Sequence, residues 1–522
     1  MDDHTRSSDL DTRPEAGRYA AETALPIQQA TMDDPMRLID RVYLLRRSSR
    51  ARKQLIVVVA VCLGAMAGFA GSPKADAVDA QHAAAEPCAA PAGPPGALKP
   101  TTVSTVEQAF ACILDKSYSG KKLDHRLLLQ AAFSRLTHEL HRRGRDVAEA
   151  TMPALTGDRQ KDWAAFAAVY ERVIDRLSDD TLSQAIGAAA INGMVGALHD
   201  NHARWARSEP PADAADAVYG LGFDTSPFMG PMLSAPYQTT GPLYVSRVLG
   251  GPAAKEGLRP GDVIQSINGA QPFPGGVLAI GAVTPLFQSY PDHDPVRLRL
   301  TRPATGRTWT ATLTPSSFTV DKEHLPQVTS RLEGDVAYVK VPDFGQGRAD
   351  AALKAISDLE ATKELSGVVI DVRGNTGGSP EEPNRLLSAF AHGKVTAYHC
   401  DIEDSCTATR TDDTVPLLNL PLVVLADRDC ASACDHFTAA VKDLELGPIV
   451  GTRTSGVVAG AAAPFLLDDN SMLIMPPLHH QGPNHEVVND IGVAPDHYVP
   501  LTAKDISTGK DPGLAKALTL VK

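Results

Sequence analysis

From about residue 320 to 505 the chain alternates short apolar runs with stretches of helical periodicity, and nothing else in it restricts the fold as much. The runs "VAYVKV", "GVVIDVRG", "LPLVVLAD" and "GPIVGT" read as strands, with helical stretches at Ala349 to Leu359, near 381 to 391, and after Ser432. Apolar strands separated by helices are joined by crossovers and buried on both faces. The expectation is an α/β core with a largely parallel sheet. Ligand chemistry in such a sheet belongs at strand ends.

Two loops lie at such ends. In "ADRDCASACDHF" a serine, Ser432, stands between Cys430 and Cys434 just before a helical stretch, where a nucleophile is often mounted. A serine hydroxyl is a poor nucleophile until a neighbouring base takes its proton. The other loop, "DVRGNTGGSPEE" from Asp371 to Glu382, is rich in glycine. Gly377 or Gly378 could bring a backbone N–H close to the serine, and Ala433 could supply a second from the helix start, which together would serve a developing oxyanion. Ser379 and Ser455 are next in line as nucleophile.

Two further regions precede the core. Residues 101 to about 210 are helical in pattern, with Ile186, Ala190, Met194 and Ala197 on one face. From 215 to 316 the chain changes to short strands between Gly and Pro turns. Its stretches "GLGF" (Gly220, Leu221, Gly222, Phe223) and "LRPGDVIQSING" resemble the signatures of a PDZ domain. Glycines there let successive N–H groups converge on a terminal carboxylate while an extended peptide adds to the sheet edge. The resemblance implies capture of a protein or peptide by its C-terminus.

Together with "NDIGVAPD" at 489 to 496, these loops resemble the serine peptidase family of the carboxy-terminal processing (tail-specific) proteases and the tricorn core protease. That family implies an α/β multidomain protein with a ClpP/crotonase-like core and no cofactor. Processing proteases place a lysine after "T-x-G"; here that position is Val457, which cannot take a proton. The tricorn branch uses a histidine in a context like "GALHDNHAR". Carried over, His202 becomes the base and Asn201 its neighbour, with the orienting position on Asn489 or, one residue on, Asp490. An unperturbed imidazole in this role would give a rate rising between about pH 6 and 7.5. His199 is the runner-up as base. His479, His480 and His485 read as loop polarity rather than metal ligands, and Lys442 as a solvated residue pointing away from the serine.

The formal charge of −12 removes the basis for nucleic-acid binding. The one dense basic run, "RRSSRARK" at 46 to 53, abuts the uncharged "LIVVVAVCLGAMAGFAG". That pair reads as a cytoplasmic segment, 1–53, followed by a signal-type segment or membrane anchor at 54–71, with cleavage after Ala77 or none. A linker at 72–100 and a C-terminal tail at 506–522 complete the expected layout, with the core at 320–505. Cys62 sits in the apolar segment and six cysteines follow it, an even number that suits disulfides in an oxidising compartment. The pairing expected is Cys88 with Cys112, and Cys400 or Cys406 with Cys430 or Cys434. Two functions fit: an extracytoplasmic serine endopeptidase fed by the PDZ-like domain, or a catalytically silent relative that binds peptides as a scaffold. The oligomeric state is left open.

Overall fold

The computed structural model describes residues 88–91, 96–207, 218–227, 240–287, 293–320, 325–460 and 462–521. The segments read as 1–53 and 54–71, most of the linker, and Cys62 lie outside the described residues. Among the described residues no helix is long and apolar enough to cross a membrane.

Four helices come first: α1 (Val103–Lys116), α2 (His125–Arg142), α3 (Arg159–Leu177) and α4 (Asp180–Gly196). Asp124, Asp158 and Asp179 cap the last three by accepting N–H groups of the first turn, which satisfies donors that the helix itself leaves unpaired. Ile186, Ala190 and Met194 are fully buried with Leu128, Leu136 and Phe166. Gly193 permits the close approach of α4 to α2, since a Cβ there would lie 2.4 Å from the Ala131 carbonyl oxygen. Cys88 is bonded to Cys112, as expected.

A short strand, β1 (Arg204–Ala206), leads to the next region. There β2 (Val218–Gly220) pairs with β8 (Ser316–Phe318), beside a five-stranded antiparallel sheet of β3 (Phe223–Ser226), β4 (Tyr244–Val248), β5 (Val263–Ile267), β6 (Val296–Arg302) and β7 (Arg307–Leu313), in that order. Two short helices, α5 (Gly251–Lys255) and α6 (Ile280–Val283), cover its apolar face, where Leu221, Phe223, Val245, Leu298 and Leu300 are buried.

The rest forms the α/β core. Its strands are β9 (Thr329–Glu333), β10 (Val336–Lys340), β11 (Gly367–Asp371), β12 (Val395–Cys400), β13 (Cys406–Arg410), β14 (Leu422–Ala426), β15 (Ile449–Gly451), β16 (Ala463–Leu466), β17 (Met472–Met475), β18 (His479–Gln481) and β19 (His497–Tyr498). Its helices are α7 (Arg348–Glu360), α8 (Glu381–Ser388), α9 (Ala433–Asp443), α10 (Ala503–Thr508) and α11 (Pro512–Leu520). The main sheet runs β19-β15-β14-β11-β10-β9. All neighbours in it are parallel except the antiparallel edge strand β9. Every residue of β11 and β14 is buried, as strands covered on both faces require.

The segment read as a C-terminal tail is corrected: residues 503–520 are largely helical, and Leu514, Ala517 and Val521 pack under the sheet against Val369, Val423 and Leu425. The helical region is no separate body either. β1 pairs with β17, and Phe465, Leu473 and Met475 share the core of α1–α4. The turn between α4 and β1, which carries residues 199–203, is thereby fixed against the α/β core.

Candidate active site

Ser432 occupies the N-cap of α9, beyond the end of β14. Its φ of 58° and ψ of −117° lie where an L-residue is strained, at a cost of about 1–3 kcal/mol that surrounding bonds must offset. Its N–H is shared between the Val457 carbonyl, at 2.7 Å, and Asp435 Oδ2, at 3.1 Å. Asp435 is fully buried and also accepts from Thr454 Oγ1 at 2.5 Å, Gly456 N at 3.1 Å, Val457 N at 3.0 Å and Ser455 Oγ at 3.3 Å. Burial pushes its carboxyl up to about 6 against these bonds. The loop 454–457 is thus a backbone brace for the serine turn. Val457 contributes both an N–H and a carbonyl to it, and its side chain is buried against Ala431.

His202 reaches this turn from the loop between α4 and β1. Its Nε2 lies 3.4 Å from Ser432 Oγ, and its Nδ1 lies 2.7 Å from Asn201 Oδ1. Asn201 Nδ2 donates to Asn489 Oδ1 at 2.9 Å and to Asp490 Oδ1 at 3.3 Å. With its amide nitrogen so engaged, Asn201 presents a carbonyl to the ring, which places the imidazole proton on Nδ1 and leaves Nε2 to accept. The expectation that Asn489 or Asp490 contacts the imidazole is therefore corrected. Asn201 fills that position because an amide can accept on one side and donate on the other. Asn489 is held in turn by the Val458 N–H, at 3.1 Å. Burial, and after it the positive charge of Arg204, push the His202 pKa down to about 4.

The glycine loop abuts the serine from the other side. Gly377 has φ of 94°, and a Cβ there would fall 2.7 Å from both the Ala431 oxygen and Ser432 Cβ, so only glycine fits. Its own N–H is donated to Asn375 Oδ1 at 2.8 Å. Among the described residues no such bond takes up the N–H of Gly378 or of Ala433. Of the two glycines, Gly378 is the one with an amide to spare. Asn375 was missed by sequence reasoning. Fully buried, it ties this loop together, with its carbonyl accepting from Ala431 N at 3.0 Å.

Other residues singled out in the sequence have different places. His199 is exposed at the end of α4, and Ser379 Oγ is bonded to Glu381. Lys442 is not simply solvated: its Nζ lies 2.7 Å from Asp496 Oδ1 and 2.9 Å from the Ala494 oxygen. Of the three later histidines, His485 does lie in an exposed loop, but His479 and His480 belong to β18 and are not loop polarity. His480 pairs in register with His399 and is buried, 5.4 Å from the His436 ring, because β18 adds to β12 and turns that side chain toward α9. His479 packs on Tyr118, and His485 stacks on Tyr398 at 3.9 Å. Among the described residues no three His, Cys, Asp or Glu side chains could hold a metal ion. The expected cross-link from Cys400 or Cys406 to the serine turn is also corrected: Cys400 bonds Cys406 across the end of a hairpin, and Cys430 bonds Cys434. In the other domain Gly220 ends β2 and Phe223 begins β3, with Leu221 and Gly222 between them accepting the N–H groups of Ala253 and Leu249. Among the described residues, β4 is the strand that pairs with β3.

Residues 335–499 match the model of peptidase family S41, and residues 225–275 match that of the PDZ domain. A carboxyl-terminal-processing peptidase 2, chloroplastic, of Arabidopsis thaliana is 28% identical over 320 residues, covering 60% of each chain. A tricorn protease homolog 1 of Streptomyces coelicolor is 30% identical over 195 residues, which is 37% of this chain and 17% of that one. The solved structure of a photosystem II D1 C-terminal processing protease superposes with a TM-score of 0.43 at 22% identity, covering 73% of this chain and 98% of that one. The chain thus spans 60% of the length of the first of these relatives and a smaller part of the second. The likeness of this chain to peptidase family S41 thus rests on residues 335–499, and its likeness to a PDZ domain on residues 225–275.

Proposed function

We propose that the protein is a serine endopeptidase acting outside the cytoplasm on protein C-termini or on unfolded, tailed proteins, with Ser432 as nucleophile and His202 as base on a ClpP/crotonase-like core. The observation that carries this reading is the approach of His202 Nε2 to within 3.4 Å of Ser432 Oγ, on a strained turn at a helix start. That separation is slightly longer than a working hydrogen bond, as is common before substrate is bound. Ser432 Oγ attacks the scissile carbonyl while its proton passes to Nε2. The oxyanion forms beside the N–H groups of Ala433 and Gly378, at the positive end of α9. His202 then returns the proton to the leaving amine, and water repeats the sequence on the acyl-enzyme. Asn201, backed by Asn489 and Asp490, holds the ring but cannot stabilise the imidazolium by charge. The loop at Gly220–Phe223, between the end of β2 and the start of β3, supports capture of an extended C-terminus.

A fluorophosphonate probe tests the reading, because only an activated serine reacts. Ser432 is expected to be labelled and Ser432→Ala to lose both labelling and cleavage of a protein with an unstructured apolar tail. A wild-type protein that takes no label would instead be a silent relative that binds peptides.

A further inference from the structure

Cys430 and Cys434 are joined to each other, so a covalent ring of five residues, 430 to 434, has Ser432 at its centre. Both cysteines are fully buried. Each flank of the ring is also anchored elsewhere. Cys430 donates its N–H to the Asp427 carbonyl at 3.1 Å and accepts from Ser455 N at 2.9 Å, while Cys434 lies in the first turn of α9 with its N–H on the Ala431 carbonyl at 3.0 Å. Between these anchors Ser432 has a positive φ that serine does not favour. Such a residue relaxes if the helix start unwinds or the two flanks slide apart, and a bond across four residues blocks both movements. The other two disulfides, Cys88–Cys112 and Cys400–Cys406, enclose no residue of the site.

We propose that the Cys430–Cys434 disulfide is a positioning element for Ser432, which locks the nucleophile's turn in its left-handed conformation, so that opening it lowers acylation without unfolding the protein. The inference rests on the role of Ser432 proposed above. Opening is a two-electron exchange with a dithiol: a thiolate attacks one sulfur, the second thiol displaces the mixed disulfide, and two cysteine thiols and a cyclic disulfide result.

The test compares the wild type, Cys430→Ala/Cys434→Ala and Cys400→Ala/Cys406→Ala by circular dichroism, fluorophosphonate labelling and peptide cleavage. Loss of the bridge at 430–434 should slow labelling and lower kcat by about tenfold or more, the scale of effect that a misplaced reacting group produces, with KM within about twofold. The 400–406 pair should match the wild type. In parallel, wild-type protein is refolded with dithiothreitol or with oxidised glutathione, and mass spectrometry assigns the bridges formed. The dithiothreitol product should be folded but slow, and should recover on oxidation. Labelling within about twofold of wild type in either folded, unbridged form would overturn the inference. So would failure of both forms to fold, which would make the bridge a folding staple. If the wild type itself takes no label, the nucleophile reading fails first and the inference falls with it.

Discussion

An imidazole that takes a proton from serine should be neutral beforehand and stabilised once charged, and His202 meets the first condition better than the second. With its pKa pushed down to about 4 by burial, it is neutral across the usual pH range, but its Nδ1 faces an amide rather than a carboxylate. The sign follows directly. With His202 as the proposed base, activity needs the neutral ring, so it should be present above about pH 4 and be lost as pH falls through that value. Labelling of Ser432 at pH 5.5 should stay close to its level at pH 7.5, whereas a base titrating at ~6.5 would have lost most of it. Asn201→Asp places a negative charge on the ring N–H, so it should raise the rate at pH 7.5 and move the acid limb upward. An unmoved limb would mean that Asn201 does not govern the ring. Asn201→Ala should cost more than Asn489→Ala, and Asp490→Ala least. Local wording was enough to nominate Ser432 and His202 in the sequence. The order Asn201 then Asn489 was not legible there, because it depends on which way two amides point across 288 residues.

At the scale of elements, apolar runs made the parallel strands legible, whereas the role of "DVRG" and the last helices stayed hidden. Asp371, at the end of β11, accepts from Tyr338 at 2.7 Å and pairs with Lys340 at 3.1 Å and with Arg373, which also makes two bonds to Asp511 at 2.9 and 2.7 Å. The loop's charged residues thus bolt α11 to the strand end beside the glycines of the site. Asp511 doubles as the N-cap of α11, accepting from Leu514 N, with Pro512 as the first helical residue. That Asp-Pro start and the apolar spacing of Leu514, Ala517 and Val521 were the available signals for a helix. Arg373→Met leaves a buried carboxylate short of its partner and should cost about 3–5 kcal/mol in urea unfolding. Asp511→Ala, at a more open position, should cost less, about 1–2 kcal/mol, the size of a lost cap. The positive charges beside Asp371 hold its carboxyl well below the usual range, and those of Arg373 do the same for Asp511. Their contribution is therefore complete above about pH 4, where the unfolded carboxylates are ionised, and is lost as pH falls through the depressed folded values. Arg373→Met should flatten that acid limb. A variant as stable as wild type at pH 7 would show that the network adds nothing.

In the whole molecule, composition and motifs set the strand-rich region at 215–316 apart from the α/β core, but they gave no sign of the seat between the two. It lies on α10 (Ala503–Thr508), which straddles the boundary at 505 expected between core and tail. Gly261, within "LRPGD", has φ of 85°, and a Cβ there would fall 2.6 Å from Ser507 N and 2.7 Å from the Ala503 oxygen. Ala304 N donates to Ser507 Oγ at 3.0 Å beside it. Nothing in α10 can yield to such a Cβ except by moving the backbone, so Gly261→Ala should shift the PDZ domain off its seat. Three measurements separate this from damage elsewhere. Binding of a peptide with an apolar C-terminus reports on the PDZ domain itself and should be kept within a few-fold. Labelling of Ser432 by a small fluorophosphonate reports on the core and should be unchanged. Cleavage of a tailed protein needs the two domains held in register, and should fall by about tenfold or more if delivery depends on that geometry. Ser507→Ala, which removes one hydrogen bond and no backbone contact, should change all three little. Equal losses of labelling and tailed-protein cleavage in Gly261→Ala would trace the defect to the core, and unchanged cleavage would mean that the seat on α10 plays no part in feeding the site.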